Sequence, residues 1–161
     1  MNDILLINDA DNTLFQITSL VGTTDFDKIR PSIWVAQNFE ISRILGKNLY
    51  ERILNDFSND SLSGIYQEIY SNHVTKILIF AAVGDFIMKN SIMISNGGNF
   101  KHQATNAVVA DSKETERISK YYRDMAAHCE QDFYKFMQGV NIPEYINKPS
   151  IDGGFNFNWV F

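Results

Sequence analysis

The sequence predicts a mainly α fold: a small bundle of about four helices, with a projecting β-hairpin or loop and extended N- and C-terminal arms. Three observations carry this expectation. Residues 61–90 hold a long helical stripe, and from Val74 to Met88 the apolar side chains spread around most of the circumference, which requires neighbours on several sides. Residues 111–140 hold a clean amphipathic repeat at steps of three and four. Around these lie a glycine-rich turn stretch and an aromatic tail whose period is two, as in a strand. The expected layout is one domain over residues 1–161: an N-terminal arm (1–22), a helical core (23–140) with a loop at 91–110, and an extended tail (141–161).

Composition narrows the class. An apolar fraction of 45% with 13% aromatic residues belongs to a packed core and not to a disordered chain. The formal net charge of -5 and pI near 5.1 argue against a protein whose main work is gripping nucleic-acid phosphates, and Lys and Arg form no run. A single cysteine, Cys129, leaves no intramolecular disulfide and fits a reducing compartment. The opening MNDILLIND has no positively charged start, and the longest apolar run, residues 77–83, is far short of the ~20 residues that span a bilayer. The expected product is soluble and intracellular, without a membrane partner.

Taken in order, residues 1–22 read as an arm with few internal contacts: Ile4–Ile7 is a short β-capable run, 9–12 a turn, and Leu14, Phe15, Ile17 and Leu20 brief anchors. Thr23, Thr24, Asp25 and Asp27 look like a helix start. Pro31 belongs in a first turn, so the regular helix is expected from about Arg30 to Phe39, with Ile33, Trp34, Phe39, Ile41, Ile44 and Leu45 inward. Gly46 marks a break, and residues 47–57 form a second helix burying Leu49, Tyr50, Ile53, Leu54 and Phe57. Residues 58–61 turn the chain into the central helix, whose stripe runs through Leu62, Ile69, His73, Ile77 and Gly84.

The stretch Ile92–Ile94, then Ser95-Asn96-Gly97-Gly98-Asn99, then Phe100 is a hairpin signal. Residues 111–114 open the last helix with acid placed for a capping box, and its stripe is Ile118, Tyr122, Met125, Cys129, Phe133, Phe136 and Val140. Gly139 and Pro143 close it. Beyond them Phe155, Phe157, Trp159 and Phe161 alternate with Asn156, Asn158 and Val160. Large apolar side chains are worth roughly 1.5–3 kcal/mol each when buried, so this tail either folds back or docks on another chain.

The chemistry-bearing residues do not assemble into an enzyme pattern. His73, His102 and His128 sit on three elements without a chelating pair, and His128 and Cys129, being adjacent, point about 100° apart on a helix. Cys129 lies on an apolar stripe, where a thiol behaves as a small hydrophobe. The glycines at 97 and 98 lack the spacing and lysine of a phosphate loop. The paired acids Asp25/Asp27 and Glu114/Glu116 stand at helix starts, where the dipole explains them. No catalytic residue, metal or cofactor is expected, and the candidate functional residues are interface residues: Ile94, Asn96, Gly97, Phe100, Phe155, Phe157, Trp159 and Phe161.

One arrangement is familiar. IWVAQN (33–38), ILGKNLYERIL (44–54), a long apolar helix, ISNGG (94–98) and a charged amphipathic helix together resemble the small helical head–tail connector proteins of tailed bacteriophages. The likeness is strongest to versions in phages of gut Bacteroides-type bacteria, including the crAss-like group, and covers about residues 28–138. It implies a structural, non-enzymatic virion protein: a subunit of a ring, commonly dodecameric, joining the portal vertex to the tail. It further implies portal and neighbouring connector or tail proteins as partners, DNA passing through the lumen without specific binding, and residence in the virion neck after assembly in the host cytoplasm. The family offers no catalytic residues to carry over. The alternative is another assembly or adaptor protein that binds a partner through its aromatic tail.

Overall fold

Asp25 begins the helical body: its Oδ1 accepts from the Asp27 N–H at 3.0 Å, capping helix α2 (Phe26–Val35). The computed structural model describes residues 4–7, 13–18, 20, 25–90, 93–95, 98–100 and 112–146. A short helix α1 (Thr13–Ile17) precedes α2. After α2 the chain widens into a π-helical segment (Ala36–Ile41) and continues as α3 (Ser42–Ser58). A turn leads to α4 (Gly64–Ile69), a second π segment (Tyr70–Val74) and α5 (Thr75–Asn90). Two three-residue strands, β1 (Met93–Ser95) and β2 (Gly98–Phe100), pair antiparallel with Met93 opposite Phe100, and α6 (Ser112–Gln138) follows. The described residues are thus mainly helical and form a bundle.

Two glycines set its geometry. Gly46 has φ +73°, the left-handed region that glycine enters without a Cβ penalty, and it breaks α3 into two directions as its sequence position foretold. At Gly84 α5 and α6 approach closely, and a Cβ there would lie 3.1 Å from Arg123 Cγ and 3.2 Å from the Ser119 carbonyl oxygen. Ser119 uses that proximity: its hydroxyl, buried, donates to the Gly84 carbonyl at 2.7 Å. A small residue on one helix and a short polar one on the other let the two backbones come together.

Helix α5 lies at the centre of the core. Ile77, Leu78, Ile79, Ala82, Val83 and Phe86 are all buried, around most of the helix, as the apolar spread from Val74 to Met88 required, while Lys76 and Met88 reach solvent. Its neighbours are α6, α2 and the first π segment. Ile29 and Ile33 from α2, Leu45, Leu49 and Ile53 from α3, and Tyr122, Phe133 and Met137 from α6 complete the same cluster.

Several expectations are corrected. Pro31 stands inside α2, not in its first turn. Asp25 caps a turn earlier, and burial of Ile29 and Ile33 holds the helix across the missing N–H. Trp34 and Phe39 face outward, Phe39 with 63% of its surface exposed: Ile29, Ser32 and Ile33 form the buried face of α2, and Ala36, Gln37 and Ile41 that of the π segment. On α6 the inward position is Ser119, and Ile118 is exposed, because the close approach at Gly84 admits only a small side chain. The N-terminal stretch was expected to make few internal contacts, yet Leu6, Ile7 and Leu14 are fully buried. The start of the expected tail also folds back: Ile142 and Tyr145 are buried, and Glu144 accepts from the Tyr66 hydroxyl at 2.8 Å.

Candidate functional site

The most elaborate polar arrangement in the body is built around Gln37. Its side chain is buried where the first π segment carries an extra residue per turn, a feature that recurs at functional sites. The amide oxygen accepts from the Leu6 N–H at 2.8 Å, and the amide nitrogen donates to the Ile4 carbonyl at 2.8 Å. The second amide hydrogen reaches the Tyr50 hydroxyl at 3.2 Å, and that hydroxyl donates onward to Asn38 Oδ1 at 3.4 Å. From the second π segment, the Tyr70 hydroxyl donates to the Leu6 carbonyl at 2.7 Å. Both π segments therefore supply a side chain to one purpose: holding residues 4–7 by their backbone.

The chemistry is peptide recognition. A glutamine amide offers one acceptor and two donors, and here each is used. Gln37 acts as a neighbouring strand would, pairing with the carbonyl of one residue and the N–H of the second residue after it. Leu6 and Ile7 add the apolar anchors, each worth roughly 1.5–3 kcal/mol when buried.

A groove of about 360 Å³ opens between the first π segment, α5 and α6. Its floor is alanine-rich (Ala36, Ala81, Ala126, Ala127), and Glu40, Asp85, Arg123 and Glu130 stand around it. The acids there are engaged in bridging. Arg43 grips Glu130 with two parallel hydrogen bonds of 2.9 and 3.0 Å and also reaches Glu40 at 3.0 Å, tying α3 to α6. Tyr134 donates to the same Glu130 at 2.7 Å, and Asp85 pairs with Lys89 at 2.6 Å. A second bridge joins Arg52 to Asp56 at 2.6 Å and to Glu144 at 3.6 Å, with the guanidinium 4.6 Å above the Tyr66 ring.

Of the groups weighed for catalysis, His73 and Cys129 are half-buried. His73 lies against the rings of Phe136 (4.6 Å) and Phe133 (5.8 Å), and desolvation pushes its imidazole below the usual range. Burial pushes the Cys129 thiol up, away from the thiolate a nucleophile needs. His128 is exposed and lies 3.5 Å from Asp132 on its own helix. Among the described residues no three His, Cys, Asp or Glu side chains stand close enough to hold a metal ion. No described helix is long and apolar enough to cross a membrane.

Of the interface residues expected from sequence, Ile94 and Phe100 fall in β1 and β2, and nothing is assigned to their side chains. Asn96, Gly97, Phe155, Phe157, Trp159 and Phe161 lie outside the described residues, as does His102. The Gln37 clamp was missed, although Ala36-Gln37 lies within the IWVAQN motif. The available signal was an uncharged polar side chain beside an apolar stripe, together with a β-capable run near the start of the chain.

No curated protein and no solved structure matches the chain. Residues 41–154, most of its length, match a family of unknown function, and the chain belongs to that family, DUF6712.

Proposed function

We propose that this chain is a non-enzymatic subunit of a head–tail connector ring in a tailed-phage particle, joining the portal vertex to the tail and forming part of the DNA conduit. One observation carries the reading: the order of IWVAQN, ILGKNLYERIL, the long apolar helix, ISNGG and the charged amphipathic helix along residues 28–138. The body supports it in kind. Trp34 and Phe39 meet edge to face at 6.3 Å on the surface, and Ile118 and Tyr121 are exposed at 40% and 57%, apolar surface that an assembly would cover. Arg43, Arg52, Lys89 and Lys120 are taken up in bridges between helices or along them. An acidic chain also suits a lumen, since DNA that must slide gains nothing from a tight grip.

In this reading the stretch around Ile94, Asn96, Gly97 and Phe100 projects toward neighbouring rings. The tail residues Phe155, Phe157, Trp159 and Phe161 add to a partner's surface, and identical head-to-tail contacts close the ring. The test is the mass of the purified chain by light scattering after gel filtration, alone and with a candidate portal. A closed oligomer or capture on the portal is expected, and a persistent monomer that ignores the portal overturns the reading. Deleting residues 153–161 should leave a helical monomer by circular dichroism and abolish assembly.

A further inference from the structure

We propose that the Gln37 clamp is an intersubunit site, in which the Ile4–Ile7 segment of a second copy takes the place of the chain's own. The inference deepens the ring reading and rests on the self-association that reading requires. The segment is held as a peptide ligand is held. Its backbone is read at Ile4 O and Leu6 N by Gln37 and at Leu6 O by Tyr70, from positions 31 to 64 residues away in the chain. Leu6 and Ile7 are fully buried in the same place. A site that recognises main-chain groups and two aliphatic side chains does not distinguish its own chain from an identical one.

The connection to the rest of the molecule favours exchange. Residues 8–12, Asn-Asp-Ala-Asp-Asn, join the segment to α1, and none carries an apolar side chain larger than alanine. Such a link can extend by roughly 3.3–3.6 Å per residue. Exchange between copies preserves each contact of the clamp, so its equilibrium depends on the link and on concentration alone; this is what makes swapping a low-cost route to oligomers. Passed from each subunit to the next, the contact is head-to-tail and closes a ring if the rotation allows.

The test uses the full chain with leucine replaced by its diazirine analogue, so that Leu6 reacts inside the clamp that buries it. Natural-abundance and nitrogen-15 chains are mixed in equal amounts, unfolded, refolded together at high concentration, separated by size and irradiated. Cross-linked peptides joining residues 4–7 to those containing Gln37 or Tyr70 are then sorted by isotope. Mixed-isotope pairs as abundant as same-isotope pairs in the oligomer, and absent from the monomer, are the expected result. Oligomers with same-isotope pairs alone overturn the exchange and leave the ring reading standing. Absence of any oligomer, with or without the portal, overturns both.

Discussion

Gln37→Ala is the substitution with the clearest magnitude. It removes the partner of the buried Leu6 N–H and of the half-buried Ile4 C=O, and one partner of the Tyr50 hydroxyl. A buried polar group left without its bond costs about 1–3 kcal/mol, so a rigid body would lose roughly 2–6 kcal/mol. Undocking of residues 4–7 sets a ceiling, because water can then satisfy those groups. It exposes Leu6 and Ile7, at roughly 1.5–3 kcal/mol each, and the backbone entropy recovered offsets most of that. The expected loss is therefore at or below the low end of the rigid-body range, about 1–3 kcal/mol, a fall in Tm of about 2–4 °C for each kcal/mol in a chain of this size. Urea unfolding followed by circular dichroism measures it, and the Leu6 amide should lose its protection from hydrogen exchange.

Gln37→Glu supplies a second readout with a sign. The ionised carboxylate can accept from Leu6 N–H but has no proton for the Ile4 carbonyl, whereas the protonated acid restores the donor. Burial beside that carbonyl raises the folded-state pKa above the ordinary ~4.3. Between the two pKa values the folded variant holds more protons than the unfolded chain, so its stability rises as pH falls. The deficit relative to the parent should be largest near neutral pH and shrink on acidification. A loss below about 0.5 kcal/mol for the alanine variant, or a pH-independent deficit for the glutamate variant, would refute peptide-like recognition by Gln37.

Gly84→Leu drives a side chain into Arg123 and the Ser119 backbone and should cost about 1–3 kcal/mol or more in chemical denaturation. Ser119→Ala removes one bond and should cost roughly 0.5–1.5 kcal/mol by the same measurement. His73 is held below its ordinary pKa by desolvation, with Lys76 lowering it further and Asp132 and Glu68 opposing. Because the unfolded chain takes up that proton first, stability should fall as pH drops below about 6.5 toward the folded value. His73→Phe should flatten that part of the thermal profile. Cys129→Ala should cost on the order of 1 kcal/mol and leave assembly intact, and loss of assembly in a stably folded variant would show that the thiol does more than pack.

What the sequence determined by itself were the elements whose cause is local. The apolar spread of residues 74–88 required a helix with neighbours on several sides, and α5 is buried around most of its circumference. The amphipathic repeat of residues 111–140 produced α6, the Asp25 carboxylate capped α2, and Gly46 broke the chain where no other residue adopts φ +73° without strain. Each of these depends on neighbours within a turn or two, which periodicity can read.

Tertiary structure decided the positions at which two distant segments meet. Ser119 displaced Ile118 from the inward face because Gly84, 35 residues away, brings the backbones together. Trp34 and Phe39 went to the surface because Ile33, Gln37 and Ile41 hold the face that the bundle buries. The clamp itself needs Gln37, Tyr50 and Tyr70 to converge on an N-terminal segment 31 to 64 residues from the two that bond its backbone. No local pattern records such a meeting, because the hydrogen bonds that define it exist only once the bundle has formed.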